Sequence, residues 1–193
     1  MVPRTIDKEI ILTLSWMGPE FQLNLIAETF IDTTEGIKAG ENCVLSFGQP
    51  KCHGMQHLSS RDKSVLGETI RLNSNLFYNP DNTLIANKKV MIYVMDTAET
   101  KAKEISASNA QIGINLPTIG QLTTMNVPFK TAEEEARKDL QGIIPFNWAA
   151  FCLSVSHDEA KGADVLNIKR LNGLSVFRPQ PVQLCGDQTT GGI

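Results

Sequence analysis

The sequence has no glycine-rich phosphate loop, no His-Glu-x-x-His, no dinucleotide fingerprint and no paired Cys-x-x-Cys. Nucleotide hydrolysis and redox chemistry therefore rank low, because each needs one of these arrangements to cradle phosphates or hold a metal. No apolar run approaches the roughly 20 residues that cross a bilayer, so no transmembrane segment is expected, and only peripheral membrane contact stays open. The first residues, MVPRTIDKEIILTL, lack the basic start and cleavable end of a signal peptide. Positive charge is not in excess: 18 Lys and Arg against 21 Asp and Glu give a net charge of −3. A general polyanion binder would need clustered cations to displace counterions from phosphates. There is also no Asn-x-Ser/Thr acceptor. Four cysteines, Cys43, Cys52, Cys152 and Cys185, permit two disulfides in three pairings. Without a leader, the expectation is free thiols in a reducing cytoplasm, the host cytoplasm if the protein is viral.

What is present is a chain of 193 residues, 41% hydrophobic, long enough to bury one sizeable core. Lys88–Asp96, KKVMIYVMD, is apolar on both faces and short, the pattern of a central strand. Pro145–His157, PFNWAAFCLSVSH, repeats that character. Ile10–Trp16 and Phe21–Ala27 alternate with period two, which predicts a hairpin turned at Gly18-Pro19. Short strands are expected at Cys43–Phe47, at Thr69–Leu72 and within Ile105–Leu116, with turns dominating Asn73–Asn82. Asn172-Gly173 predicts a last hairpin between Val165–Leu171 and Leu174–Phe177, because both residues tolerate positive φ. One α-helix is expected over about 132–141, where Thr131 and Glu134 form a capping box and Gly142 ends the run. The sum is a mainly β chain, an antiparallel β-sandwich or jelly-roll-like single domain over 1–177, with 178–193 as a flexible or partner-docking tail.

Few residues carry chemistry. Cys52, His53 and His57 are the candidate zinc ligands, since thiolates and imidazoles suit zinc; a polar surface loop is the competing reading, and no cofactor is expected. Cys152 or Cys52 with His157 or His53 would be a nucleophile and base, although a cysteine between Phe151 and Leu153 reads as a packed core residue. His157-Asp158-Glu159 reads as a solvated turn, because adjacent strand residues point to opposite faces. Lys88, Lys89, Lys101, Lys103, Lys169, Arg170 and Arg178 would form a modest basic face if their strands pair, with Phe77 or Tyr78 available to stack on a base.

The order VMIYVMD, then VPFKTAEEEARKDL, then FNWAAFCLSV resembles the core of plant-virus cell-to-cell movement proteins of the thirty-kilodalton superfamily. That resemblance implies the jelly-roll topology of viral coat proteins, and it makes Asp96, the aspartate after the hydrophobic strand, the hallmark position. A viral matrix or coat subunit resembles the chain nearly as well. The resulting expectation is a non-enzymatic, viral structural or movement-type protein that acts by self-association, as a homo-oligomer, and by contact with nucleic acid or nucleoprotein. A zinc-assisted or cysteine-dependent enzyme and a bacterial β-rich binding module are the alternatives.

Overall fold

The computed structural model describes residues 9–16, 23–33, 36–37, 43–46, 49–52, 54–58, 67–96, 110–117, 121–127, 146–175 and 185. The described chain is mainly β. Its strands are β1 (Glu9–Trp16), β2 (Leu23–Thr33), β3 (Gly36–Ile37), β4 (Cys43–Leu45), β5 (Lys51–Cys52), β6 (Met55–His57), β7 (Gly67–Asn73), β8 (Lys88–Asp96), β9 (Ala110–Leu116), β10 (Gln121–Asn126), β11 (Phe146–Asp158) and β12 (Ala163–Ser175). They form two antiparallel sheets. The first runs β10-β9-β1-β7-β6-β5; the second runs β12-β11-β8-β2-β3, with β4 also paired to β2. A 3-10 turn, Ser74–Phe77, is capped by the Asn73 side chain, which accepts from the Asn75 N–H. No α-helix is among the described elements, and the helix expected over 132–141 lies outside the described residues.

The sheets meet through one apolar core. On β1, Ile10, Leu12 and Leu14 are buried while Thr13 and Ser15 are exposed, and β7 and β9 add Ile70, Leu72, Ile112 and Ile114. The second sheet answers with Leu23, Leu25, Val90, Ile92, Val94, Trp148, Phe151 and Leu153. The alternation of β1 and β2 thus specifies strands correctly but not their partner. The expected hairpin between them does not form: β1 pairs with β7 and β9, whereas β2 pairs with β8 and β4. Period-two patterning says which face is apolar, and two such faces can be satisfied by facing each other across a core as well as by lying side by side.

β8 sits in the middle of its sheet, as its two apolar faces require. Its outward residues Met91 and Tyr93 join Ile26, Phe30, Ala149, Cys152 and Cys185 in a second buried cluster on the far side of the sheet. β11 changes register between Ala149 and Phe151 against both neighbours, and this bulge turns Ala150 and Phe151 together into the main core. Opposite it lies the second correction to the strand pattern. Asn172-Gly173 is no hairpin turn: β12 runs through it, with Gly173 opposite Ala149 and Leu174 opposite Trp148. From Phe151↔Arg170 to Ala149↔Gly173, β12 spends one more residue than β11, so the strand is irregular here and does not turn. The hairpin turns where His157–Gly162 is expected to turn the chain, after Asp158, whose carboxylate accepts from the N–H groups of Ala160 and Lys161, with Gly162 at φ +62°.

Candidate functional site

All four sulfurs are consumed in pairs, which overturns the expectation of free thiols. Cys43 bonds to Cys52 and Cys152 to Cys185. The first bond ties β4 of one sheet to β5 of the other. The second ties β11 to the C-terminal segment. Neither Cys52 nor Cys152 is then available as a thiolate, so the zinc and nucleophile readings lose their sulfur. His53 lies outside the described residues, and His57 is committed elsewhere. Among the described residues no group of three His, Cys, Asp or Glu side chains is placed to hold a metal.

His57 and Glu68 form a buried pair between neighbouring strands β6 and β7, Nε2 to Oε2 at 3.2 Å. The same carboxylate oxygen accepts the backbone N–H of Leu25 from the opposite sheet. This is a polar clasp through the sandwich. Burial of a carboxylate is tolerated only where donors compensate it, and Glu68 is met from both sheets.

A second polar cluster lies on the outer face of the second sheet. Lys89, its side chain only 6% exposed, reaches Asp32 at 3.2 Å and donates to the Cys185 carbonyl at 3.0 Å. In antiparallel pairing directly opposed residues share a face, so Glu28, Met91, Cys152 and Lys169 form one row across β2, β8, β11 and β12. Cys185 is bonded into that row at Cys152, and it is 2% exposed. The segment expected to be an arm for a neighbour is thus held on its own chain at this residue.

The third cluster joins residues that no sequence spacing links. Asp164 accepts the Tyr78 hydroxyl at 2.7 Å on one oxygen and faces His157 Nδ1 at 2.9 Å with the other. His157 and Asp164 are direct cross-strand partners on the hairpin, while Tyr78 comes from 86 residues away. The carboxylate that meets His157 is not that of its sequence neighbours Asp158 and Glu159. The hairpin register alone would have exposed this pair.

Four of the seven residues of the expected basic face are described, Lys88, Lys89, Lys169 and Arg170. Lys89 is buried in its ion pair and Lys88 is half-buried, while Lys169 and Arg170 are exposed on β12. Lys101, Lys103 and Arg178 lie outside the described residues. Tyr78 is buried on Asp164 and Phe77 is in the core, so neither ring is presented for stacking. Asp96 ends β8 opposite Leu23 and Phe146. β12 is the last strand of its sheet among the described residues, and Asn167, Ile168, Lys169 and Arg170 are exposed in succession along it.

No family model, curated protein or solved structure matches this chain. No helix among the described residues is long and apolar enough to cross a membrane.

Proposed function

We propose that the chain is a non-enzymatic β-sandwich protein, of the jelly-roll type with one helix over about 132–141, that works by self-association and macromolecular contact. A viral movement, matrix or coat role is the form of this proposal that the resemblance favours. The observation that carries it is the outer strand β12. Thirteen residues long, it is the last strand of its sheet among the described residues and exposes four consecutive side chains, including Ile168, an apolar residue 37% exposed. A long strand at a sheet edge is a template for pairing with another chain, and Lys169 and Arg170 add the charge that an acidic partner or a phosphate backbone would meet. Sedimentation of the full chain over a range of concentration and salt, with and without RNA, tests it. Concentration-dependent association that Ile168→Glu weakens is expected; a monomer at every concentration and no RNA complex would overturn it.

The two disulfides favour a second reading, a β-rich binding module of an oxidising compartment, since such bonds persist outside the reducing cytoplasm. It differs from the first in where the protein works. Alkylation before cell lysis, followed by mass analysis, distinguishes the two: protected cysteines support an oxidising compartment and four alkylated thiols the cytoplasm.

A further inference from the structure

We infer that the buried seat at Cys152, Lys89 and Asp32 is a receptor for the C-terminal arm that accepts the arm of a second copy as well as its own. The inference rests on the self-association reading and gives it a second, covalent contact. The seat is specific. It offers a thiol partner at Cys152 and an ammonium at Lys89 that donates to the Cys185 backbone carbonyl. Asp32 holds that ammonium from β2, and Met91 and Ala149 share the buried apolar cluster with Cys185. The bond from Cys152 and the donation from Lys89 are both made to residue 185 itself, so any chain presenting the same segment satisfies them equally.

The arm has the length to do this. Ser175 ends β12 opposite Asn147. Cys152 lies five residues further along β11, about 17 Å at the rise of a strand. The ten residues from Ser175 to Cys185 reach up to about 33 to 36 Å when extended. The tether is therefore about twice the span it must cover in its own chain. Pro179 and Pro181 stand within it, and their fixed φ reduces the entropy lost when it orders on any seat. Exchange of an identical element between two copies costs little because the contacts are the same in both states.

The covalent step balances simply. The Cys152 thiol of one copy and the Cys185 thiol of the other are oxidised to one disulfide; a low-molecular-weight disulfide is reduced to two thiols and takes up the two protons and two electrons. Closure within one chain competes through an effective concentration in the millimolar range for a tether of this length. At 0.1 mM protein, closure between chains should thus claim roughly a tenth of the bonds, and more if the copies are already associated through β12.

The test uses full-length chains. Equal amounts of natural and nitrogen-15-labelled protein are reduced, unfolded together and refolded at about 0.01 to 0.3 mM with a glutathione-type thiol and disulfide pair. Mass spectrometry of the unreduced digest then counts Cys152–Cys185 peptides of mixed label. We expect that fraction to rise about tenfold or more across the range and to be unchanged with Lys161→Met at the exposed hairpin tip; Lys89→Met, which removes a contact that either arm makes alike, should lower the total yield of Cys152–Cys185 bonds and leave the mixed fraction unchanged. Cys152→Ser mixed with Cys185→Ser should yield a disulfide-linked dimer with one chain of each kind. Same-label peptides alone at every concentration would overturn the inference, as would mixed labels equally frequent in mispaired cysteines. Association seen by sedimentation without mixed-label bonds would reject arm exchange while leaving the β12 reading standing.

Discussion

The Glu68 carboxylate in one sheet accepts the backbone N–H of Leu25 in the other, and His57 closes on the same oxygen. Most contacts between the sheets are apolar and tolerant of sliding; this one has a direction and a fixed partner. Glu68→Leu should leave a buried N–H unmatched and an imidazole without its acceptor, a cost of about 2 to 4 kcal/mol. Glu68→Gln retains an acceptor oxygen and should lose less than half of that. Urea midpoints with unchanged slope would measure the difference, and equal losses would show that the acceptor is not what matters.

The disulfides predict a graded response to removal. Closing 9 and 33 residues restrains the unfolded chain by about 2.6 and 3.7 kcal/mol in the loop-entropy account. Cys43→Ser with Cys52→Ser should therefore cost less than Cys152→Ser with Cys185→Ser in denaturant titration. The unfolded, unreduced protein should show no thiol to a thiol reagent, and four after reduction.

Gly54 should not accept a side chain. Its φ is +76°, and an added Cβ would lie 2.8 Å from the Leu76 Cβ, which is part of the core. Its carbonyl also accepts the Asn73 N–H at 2.7 Å, next to the 3-10 turn. Gly54→Ala combines backbone strain with a clash against a buried neighbour and should destabilise by about 1 to 3 kcal/mol. A thermal midpoint equal to that of the parent protein would refute the close approach.

Asp81 is the group whose environment predicts an acid dependence. The Thr83 hydroxyl, and then the Thr83 backbone N–H, hold its carboxyl below the usual carboxylate value of 3.8. A depressed folded-state value means that the charged form stabilises the fold above the unfolded value, and that the contribution is lost as pH falls through the folded one. The difference in melting temperature between the parent protein and Asp81→Asn should be constant above pH about 5 and shrink as the solution is acidified below 3.8. A difference independent of pH would contradict the assignment.

Much of the secondary structure was legible residue by residue. The double-faced apolar runs read at Lys88–Asp96 and Pro145–His157 correspond to the adjacent inner strands β8 and β11, and the alternating run at Ile10–Trp16 is β1. The failures share one cause. Asn172-Gly173 has the local chemistry of a turn, but its neighbours on β11 demand a bulge there. The β1–β2 hairpin was inferred from proximity in sequence, which orders strands along the chain and does not assign them to sheets.

The sequence alone determined which residues are apolar, at what period, and hence a β-rich chain whose central strands are buried on both faces, because side-chain alternation is a property of the strand backbone itself. Partners were decided only in three dimensions. Cys43 with Cys52, Cys152 with Cys185, Tyr78 with Asp164 and Glu68 with the Leu25 N–H are all juxtapositions set by register and by the packing of one sheet on the other. The same sulfurs that four positions in a chain leave open to several chemistries become staples once the fold brings two of them into bonding distance.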